Sequence, residues 1–295
     1  MTTPRPLSPW HVPPDHPAQL FLTGATPLFA LAGDPRVSSC LYVPRPHDDV
    51  GEPRTLVVAV HGSRRDVGRL RDAFADFAEE HDCVVLAPLF PAGLTGPDDL
   101  DSYKFFTEPG FRPDLLLLDM IEQAAERWHI RTDRFHLHGF SGGGQFAHRF
   151  FYLHPDRLVS LSVGAPGRTT LLDPRTPWWR GTADVTARFG TAPDTTAMAG
   201  VPVQLVIGEH DTRTDVREGA GHPGSRMDRI LELRDNWGRH GIAAQLDVVE
   251  GAGHDGLAVL PAVRSFLSAR IAAAGRRNSA HGTVELTESD RRGPA

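Results

Sequence analysis

Cysteine, lysine and long apolar runs are what this chain has least of. Two cysteines, Cys40 and Cys83, in 295 residues are too few for a disulfide scaffold and suit buried free thiols in a reducing compartment. The longest apolar stretches, such as Leu115 to Leu118, fall far short of the ~18 residues that a membrane helix needs. The proline-rich opening, residues 1–17, holds no apolar core of the kind a secretory leader carries. A soluble cytoplasmic protein without membrane contact is the expectation. Lys104 is the single lysine among 31 basic residues, a bias to which no function attaches. With a net charge of −6 and no basic stripe, nucleic acid is not an expected partner. The histidines lack HExxH-type spacing, and the glycine-rich turn lacks the Lys-Ser/Thr of a phosphate loop, so neither a metal nor any other cofactor is expected.

At 40% hydrophobic and 23% charged, the chain can bury one sizeable core. Its organisation reads as a proline-rich arm over 1–24, a body over 25–273 and a polar tail over 274–295, for which disorder is expected. Within the body, short β-branched runs alternate with helical periodicity, the pattern of a mainly parallel sheet. Strands are predicted near 28–31, 39–43, 55–60, 84–86, 134–138, 158–163, 203–207 and 245–249. Helices are predicted near 70–81, 114–128, from Ser141 to before Pro155, from Ser225 to Gly241, and over 257–273. Between 165 and 200 no clear periodicity is present. Trp178, Trp179 and Phe189, with Pro174 and Pro177, suggest a packed cap there, either covering a substrate or held in place by its tryptophans alone.

Chemistry concentrates at Gly139-Phe140-Ser141-Gly142-Gly143. A serine between glycines, directly after a strand and before a helix, is the pattern of a nucleophile elbow: a sharp turn exposes the hydroxyl, and no Cβ obstructs the approach of strand and helix. Upstream, the strand over 55–60 ends in His61-Gly62-Ser63-Arg64, a turn that can aim backbone N–H groups at a developing oxyanion. Ser63 and Gly142 are the expected donors. Downstream, the strand over 203–207 runs into Gly208-Glu209-His210-Asp211. Asp211 is favoured as the acid over Glu209, which lies closer to the strand, and over Asp184, which falls in an irregular stretch. The last strand leads into a glycine-rich loop holding His254, suited to a general base. The chain has 15 histidines. His210, His222, His240 and His281 read as surface or cap residues, and His136 and His138 as structural residues on a strand.

The order Ser141, Asp211, His254 differs from the chymotrypsin and subtilisin orders and resembles that of the α/β-hydrolase superfamily over about residues 25–273. Gly139 to Phe146 with the short His61-Gly62 turn looks like the esterase and polyhydroxybutyrate-depolymerase-like branches. The resemblance implies an α/β-hydrolase fold: a mostly parallel twisted sheet of about eight strands, helices on both faces, and a small cap between strands six and seven. It implies a cofactor-free serine hydrolase that cleaves a carboxylic ester of small or medium acyl size through Ser141, His254 and Asp211. His61, Arg64, Tyr103, Phe140, Trp178 and Trp179 are candidates for the substrate site, and Arg64, Arg65 and Lys104 for meeting an anionic group. A peptidase or acyltransferase with the same triad, and a non-catalytic binding protein on the same fold, are the alternatives. Oligomeric state is left open.

Overall fold

In the computed structural model the described residues are 7–47, 49–214 and 224–289, the last of them as backbone alone from 276 onward. Nine strands form one sheet: β1 Gly24–Ala25, β2 Phe29–Ala30, β3 Ser38–Val43, β4 Leu56–Val60, β5 Val84–Leu89, β6 Phe135–Phe140, β7 Leu158–Gly164, β8 Val203–Gly208 and β9 Ala244–Val249. Their order is β1-β3-β5-β4-β6-β7-β8-β9, with β2 also on β3. The pairings of β3 with β1, β2 and β5 are antiparallel, and every pairing from β5 through β9 is parallel. Eight of these strands match the sequence reading. Gly24–Ala25 is additional, two residues long and without a periodicity that could announce it.

The helices are α1 Gln19–Leu22, α2 Val67–Asp72, α3 Ala75–His81, α4 Ser102–Phe105, α5 Pro113–Ala125, α6 Gly142–Leu153, α7 Val185–Phe189, α8 Thr195–Ala199, α9 Arg226–Arg239 and α10 Leu260–Ser289. The helix expected over 70–81 is two, broken around Ala73 and Phe74. The helix expected to end near Ala273 has a helical backbone through Ser289, and residues 290–295 of the expected tail lie outside the described residues. Ser225 and Asp228 form the capping box at the start of α9, each side chain accepting from the other's backbone N–H.

Strand β4 explains why its sequence is an unbroken apolar run. All five residues are buried, with Leu56, Val58 and Val60 facing a layer of α5, α6 and α9. Val57 and Ala59 face the other layer, where they cluster with Phe77 of α3, Val263 of α10 and the adjoining Phe74 and Val259. A strand covered on both sides has no polar alternation to show. On β6 the second layer receives His136 and His138, whose Nδ1 atoms meet the hydroxyls of Ser160 (2.8 Å) and Ser162 (3.1 Å). Ser162 in turn donates to Gln204 Oε1 (2.7 Å), and Gln204 donates to Asp247 Oδ2 (2.6 Å). A polar row thus crosses β6 to β9 with its groups paired, as a buried row must be.

Candidate active site

Ser141 stands between the end of β6 and the first residue of α6, with φ 57 and ψ −112. That backbone lifts its side chain above the sheet edge, and the close approach it demands is visible at two glycines. A Cβ on Gly139 would lie 2.2 Å from the Gly143 carbonyl oxygen, and one on Gly143 would lie 2.1 Å from the carbonyl oxygen of Val60 on β4. Both positions therefore require glycine.

The loops after β8 and β9 bring the other two residues in. Their backbones are stitched together: Glu209 N–H donates to Val249 O (2.9 Å), and His210 N–H to Ala252 O (2.8 Å). His254 Nδ1 meets Asp211 Oδ2 at 2.5 Å, and its Nε2 meets Ser141 Oγ at 2.9 Å. An ionised carboxylate only accepts, so Nδ1 carries the proton and Nε2 offers its lone pair to the serine hydroxyl. Asp211 is 1% exposed, and its second oxygen accepts from Arg226 Nη1 at 3.2 Å. The Phe140 ring lies 5.0 Å from the imidazole, centre to centre, and steadies it. Glu209, the neighbouring acid, points elsewhere and accepts from Gly251 N–H (3.0 Å). Asp184 lies in the excursion between β7 and β8, where it accepts from Trp178 N–H (2.6 Å) and Arg188.

Ser63 and Gly142 adjoin: a Cβ on Gly142 would stand 3.0 Å from Ser63 N. At the first helical position Gly142 N–H has no intrahelical acceptor. The two nitrogens thus lie near each other at the start of α6, its positive end. His61, expected at the substrate, is instead buried beneath the turn, with Nδ1 on Gly62 O (2.8 Å) and Nε2 accepting from Phe90 N–H (3.1 Å). Burial, only partly opposed by the Gly62 contact, pushes its pKa down to about 4. A neutral imidazole therefore ties the turn to the end of β5. Tyr103 is also buried and donates to His61 O (3.1 Å).

Arg64 is exposed and lines a cavity of about 180 Å³ with Arg69, His138, Phe140 and Leu257. Arg65 is turned inward and donates to Phe90, Ser63, Pro91 and Leu100 carbonyls, so it staples two loops. Trp178 is buried, its Nε1 donating to Phe105 O (2.6 Å), and it packs on Phe189. It anchors the excursion. Trp179 is half-buried against Phe105, with the guanidinium groups of Arg149, Arg168 and Arg180 over its ring. Among the other histidines, His240 reaches Leu172 O (3.1 Å), His210 is exposed, and His222 and the side chain of His281 lie outside the described residues. Sequence reasoning missed Arg226, which holds Asp211, because no local pattern distinguishes it from the chain's many other arginines. No group of three or more His, Cys, Asp or Glu among the described residues is arranged to hold a metal ion.

No protein-family model matches the chain, and no curated protein matches it. Solved structures do. The chain is similar to a poly(aspartic acid) hydrolase from Sphingomonas sp. KT-1, with a TM-score of 0.68 and 21% identity over 82% of this chain and 98% of that one. A poly(3-hydroxybutyrate) depolymerase from Bordetella parapertussis matches with a TM-score of 0.64 and 23% identity over 78% and 83%. An S-formylglutathione hydrolase from Agrobacterium tumefaciens matches with a TM-score of 0.53 and 16% identity over 80% and 89%. Identities this low speak for the architecture.

Proposed function

On the α/β-hydrolase fold that this chain has, we propose a serine hydrolase that cleaves a small or medium carboxylic ester through an acyl-enzyme intermediate. The observation that carries the reading is the unbroken chain of hydrogen bonds from Asp211 through His254 to Ser141. In this mechanism His254 Nε2 takes the Ser141 proton as Oγ bonds to the ester carbonyl carbon, and the carbonyl π pair moves onto oxygen. The oxyanion accepts from the N–H groups of Ser63 and Gly142. The intermediate collapses, and the imidazolium gives its proton to the departing alcohol. Water, deprotonated by the same nitrogen, then attacks the acyl carbon and releases the acid and Ser141. Asp211 holds the imidazole in the tautomer this needs and stabilises its cation. The neighbours named a poly(3-hydroxybutyrate) depolymerase and an S-formylglutathione hydrolase support hydrolysis as the class of chemistry.

A reducing, cytoplasmic setting belongs to the same proposal and is supported by Cys40 and Cys83, both buried and free. No helix among the described residues is long and apolar enough to cross a membrane. The deciding experiment is a panel of p-nitrophenyl esters, matched amides and an alcohol acceptor, run with wild type and Ser141→Ala. Fluorophosphonate labelling would be mapped in parallel. Ester hydrolysis lost in the variant, with the label on Ser141, supports the reading. Faster amide cleavage or transfer to the alcohol would replace it with a peptidase or acyltransferase.

A further inference from the structure

Building on the serine-hydrolase reading, we propose that Tyr103 is a positioning residue: its hydroxyl keeps in register the two segments that carry the oxyanion donors of Ser63 and Gly142. Those segments are far apart in the chain, one being the turn after β4 and the other the first residue of α6. Donors to an oxyanion act by being in place before the charge develops, and a displacement of even 1 Å is costly. The two segments must therefore be held to each other as well as to the sheet.

The Tyr103 hydroxyl lies where they meet. It donates to His61 O (3.1 Å), two residues before Ser63. The same oxygen fills the notch beside Gly142, where a Cβ would collide with it. Lys104, buried and hydrogen-bonded to Asp101, closes the notch from one side, its Cε 3.0 Å from that Cβ position. One buried oxygen thus touches both donor-bearing segments. Tyr103 has no exposed surface, so it acts on the site without reaching the substrate.

The phenol is itself fixed. Its ring stacks on Phe90 (5.6 Å between centres, 14° between planes) and lies 4.9 Å from the His61 imidazole, with the Arg65 guanidinium 5.1 Å from its centre. Two successive carbonyls of the turn are then held: His61 O by Tyr103, and Gly62 O by His61 Nδ1 (2.8 Å) and Arg65 N–H (3.1 Å). A trans peptide is planar, with its N–H opposite its C=O. Holding Gly62 O therefore sets the direction of the Ser63 N–H, while the bond from Tyr103 sets how far the turn stands from Gly142.

The test is Tyr103→Phe, which keeps the ring and removes one oxygen. On p-nitrophenyl butyrate kcat should fall about tenfold with KM little changed. A second readout needs no turnover: phenylboronic acid takes the Ser141 oxygen onto boron as a tetrahedral anion, the serine proton passing to His254, and its Kd should rise by a similar factor. The control is Tyr152→Phe, which removes another buried hydroxyl, bonded to Thr170 O (2.5 Å) and Trp237 Nε1 (2.8 Å). It should lower the melting temperature and leave kcat and boronate affinity in place. Wild-type kcat and boronate affinity in Tyr103→Phe overturn the proposal, and so does an equal rate loss in Tyr152→Phe. Failure of Tyr103→Phe to fold where Tyr152→Phe folds assigns the hydroxyl to the fold alone and also overturns it. Ester hydrolysis by the wild type stands in all three cases. A wild type that binds the boronate but turns over no ester sinks the ester reading, and the boronate comparison still judges Tyr103. A wild type that does neither overturns both.

Discussion

Arg226 donates from Nη1 to the one Asp211 oxygen that His254 leaves open, at 3.2 Å. The acid of the proposed triad is thus gripped from both sides in a buried place, with the imidazole on Oδ2 and the guanidinium on Oδ1. Such a grip restrains rotation of the carboxylate and keeps its Oδ2 lone pair on the imidazole. Arg226→Gln is expected to lower kcat about tenfold with little change in KM, the signature of a positioning residue. Asp211→Asn, which offers the wrong tautomer to His254, should cost about 10³ to 10⁴. Steady-state kinetics on both variants decide the matter, and equal losses would remove the distinction drawn between them.

Ser141→Ala should abolish ester turnover, by about a thousandfold or more. Its backbone, at φ 57, stays in a region that any side chain with a Cβ resists. Ser141→Gly is therefore expected to be equally inactive but more stable than Ser141→Ala by about 1 kcal/mol. Urea unfolding of the two variants measures the difference, and a less stable glycine variant would mean that the elbow carries no strain.

Gly143→Ala is expected to leave little folded protein. The added methyl would fall 2.1 Å from Val60 O, backbone against backbone, in the centre of the sheet. The penalty is put at more than about 3 kcal/mol. A soluble variant with wild-type melting temperature would contradict the packing described here.

Stability should fall as pH drops from about 6.5 to about 4. His61, His136 and His138 are held neutral by burial, each with its pKa pushed down to about 4 from an ordinary 6.5. Between those values the unfolded chain binds more protons than the native one, so acid favours unfolding, by up to about 3 kcal/mol for each histidine. Asp114 acts elsewhere on the scale. Burial pushes its carboxyl up, but hydrogen bonds from His154 and Arg112 outweigh this and hold it below its ordinary 3.8, so its contribution is lost only in stronger acid. Melting temperatures at pH 7 and pH 5 test the sign, and a rise on acidification would refute it.

Much of this molecule could be read before any coordinates. Ser141, Asp211 and His254 each follow a strand that the sequence pattern locates, and their order along the chain, with the glycine-rich turns around them, singles out the three residues whose side chains meet. What stayed hidden depends on contacts between segments far apart in sequence. The burial of His61 follows from Phe90 N–H, which belongs to another loop. The choice between Glu209 and Asp211 is explained by Gly251, whose N–H occupies the former. The break between α2 and α3 and the two-residue β1 fall below what periodicity can resolve. Trp178 and Trp179, adjacent and alike in the sequence, part company in the structure: one bolts the excursion down, and the other meets the arginines.

Arg149 gathers a hydroxyl and main-chain carbonyls from α4, α6 and the segment after β7. A stretch pinned in this way travels with the sheet and not as a swinging door.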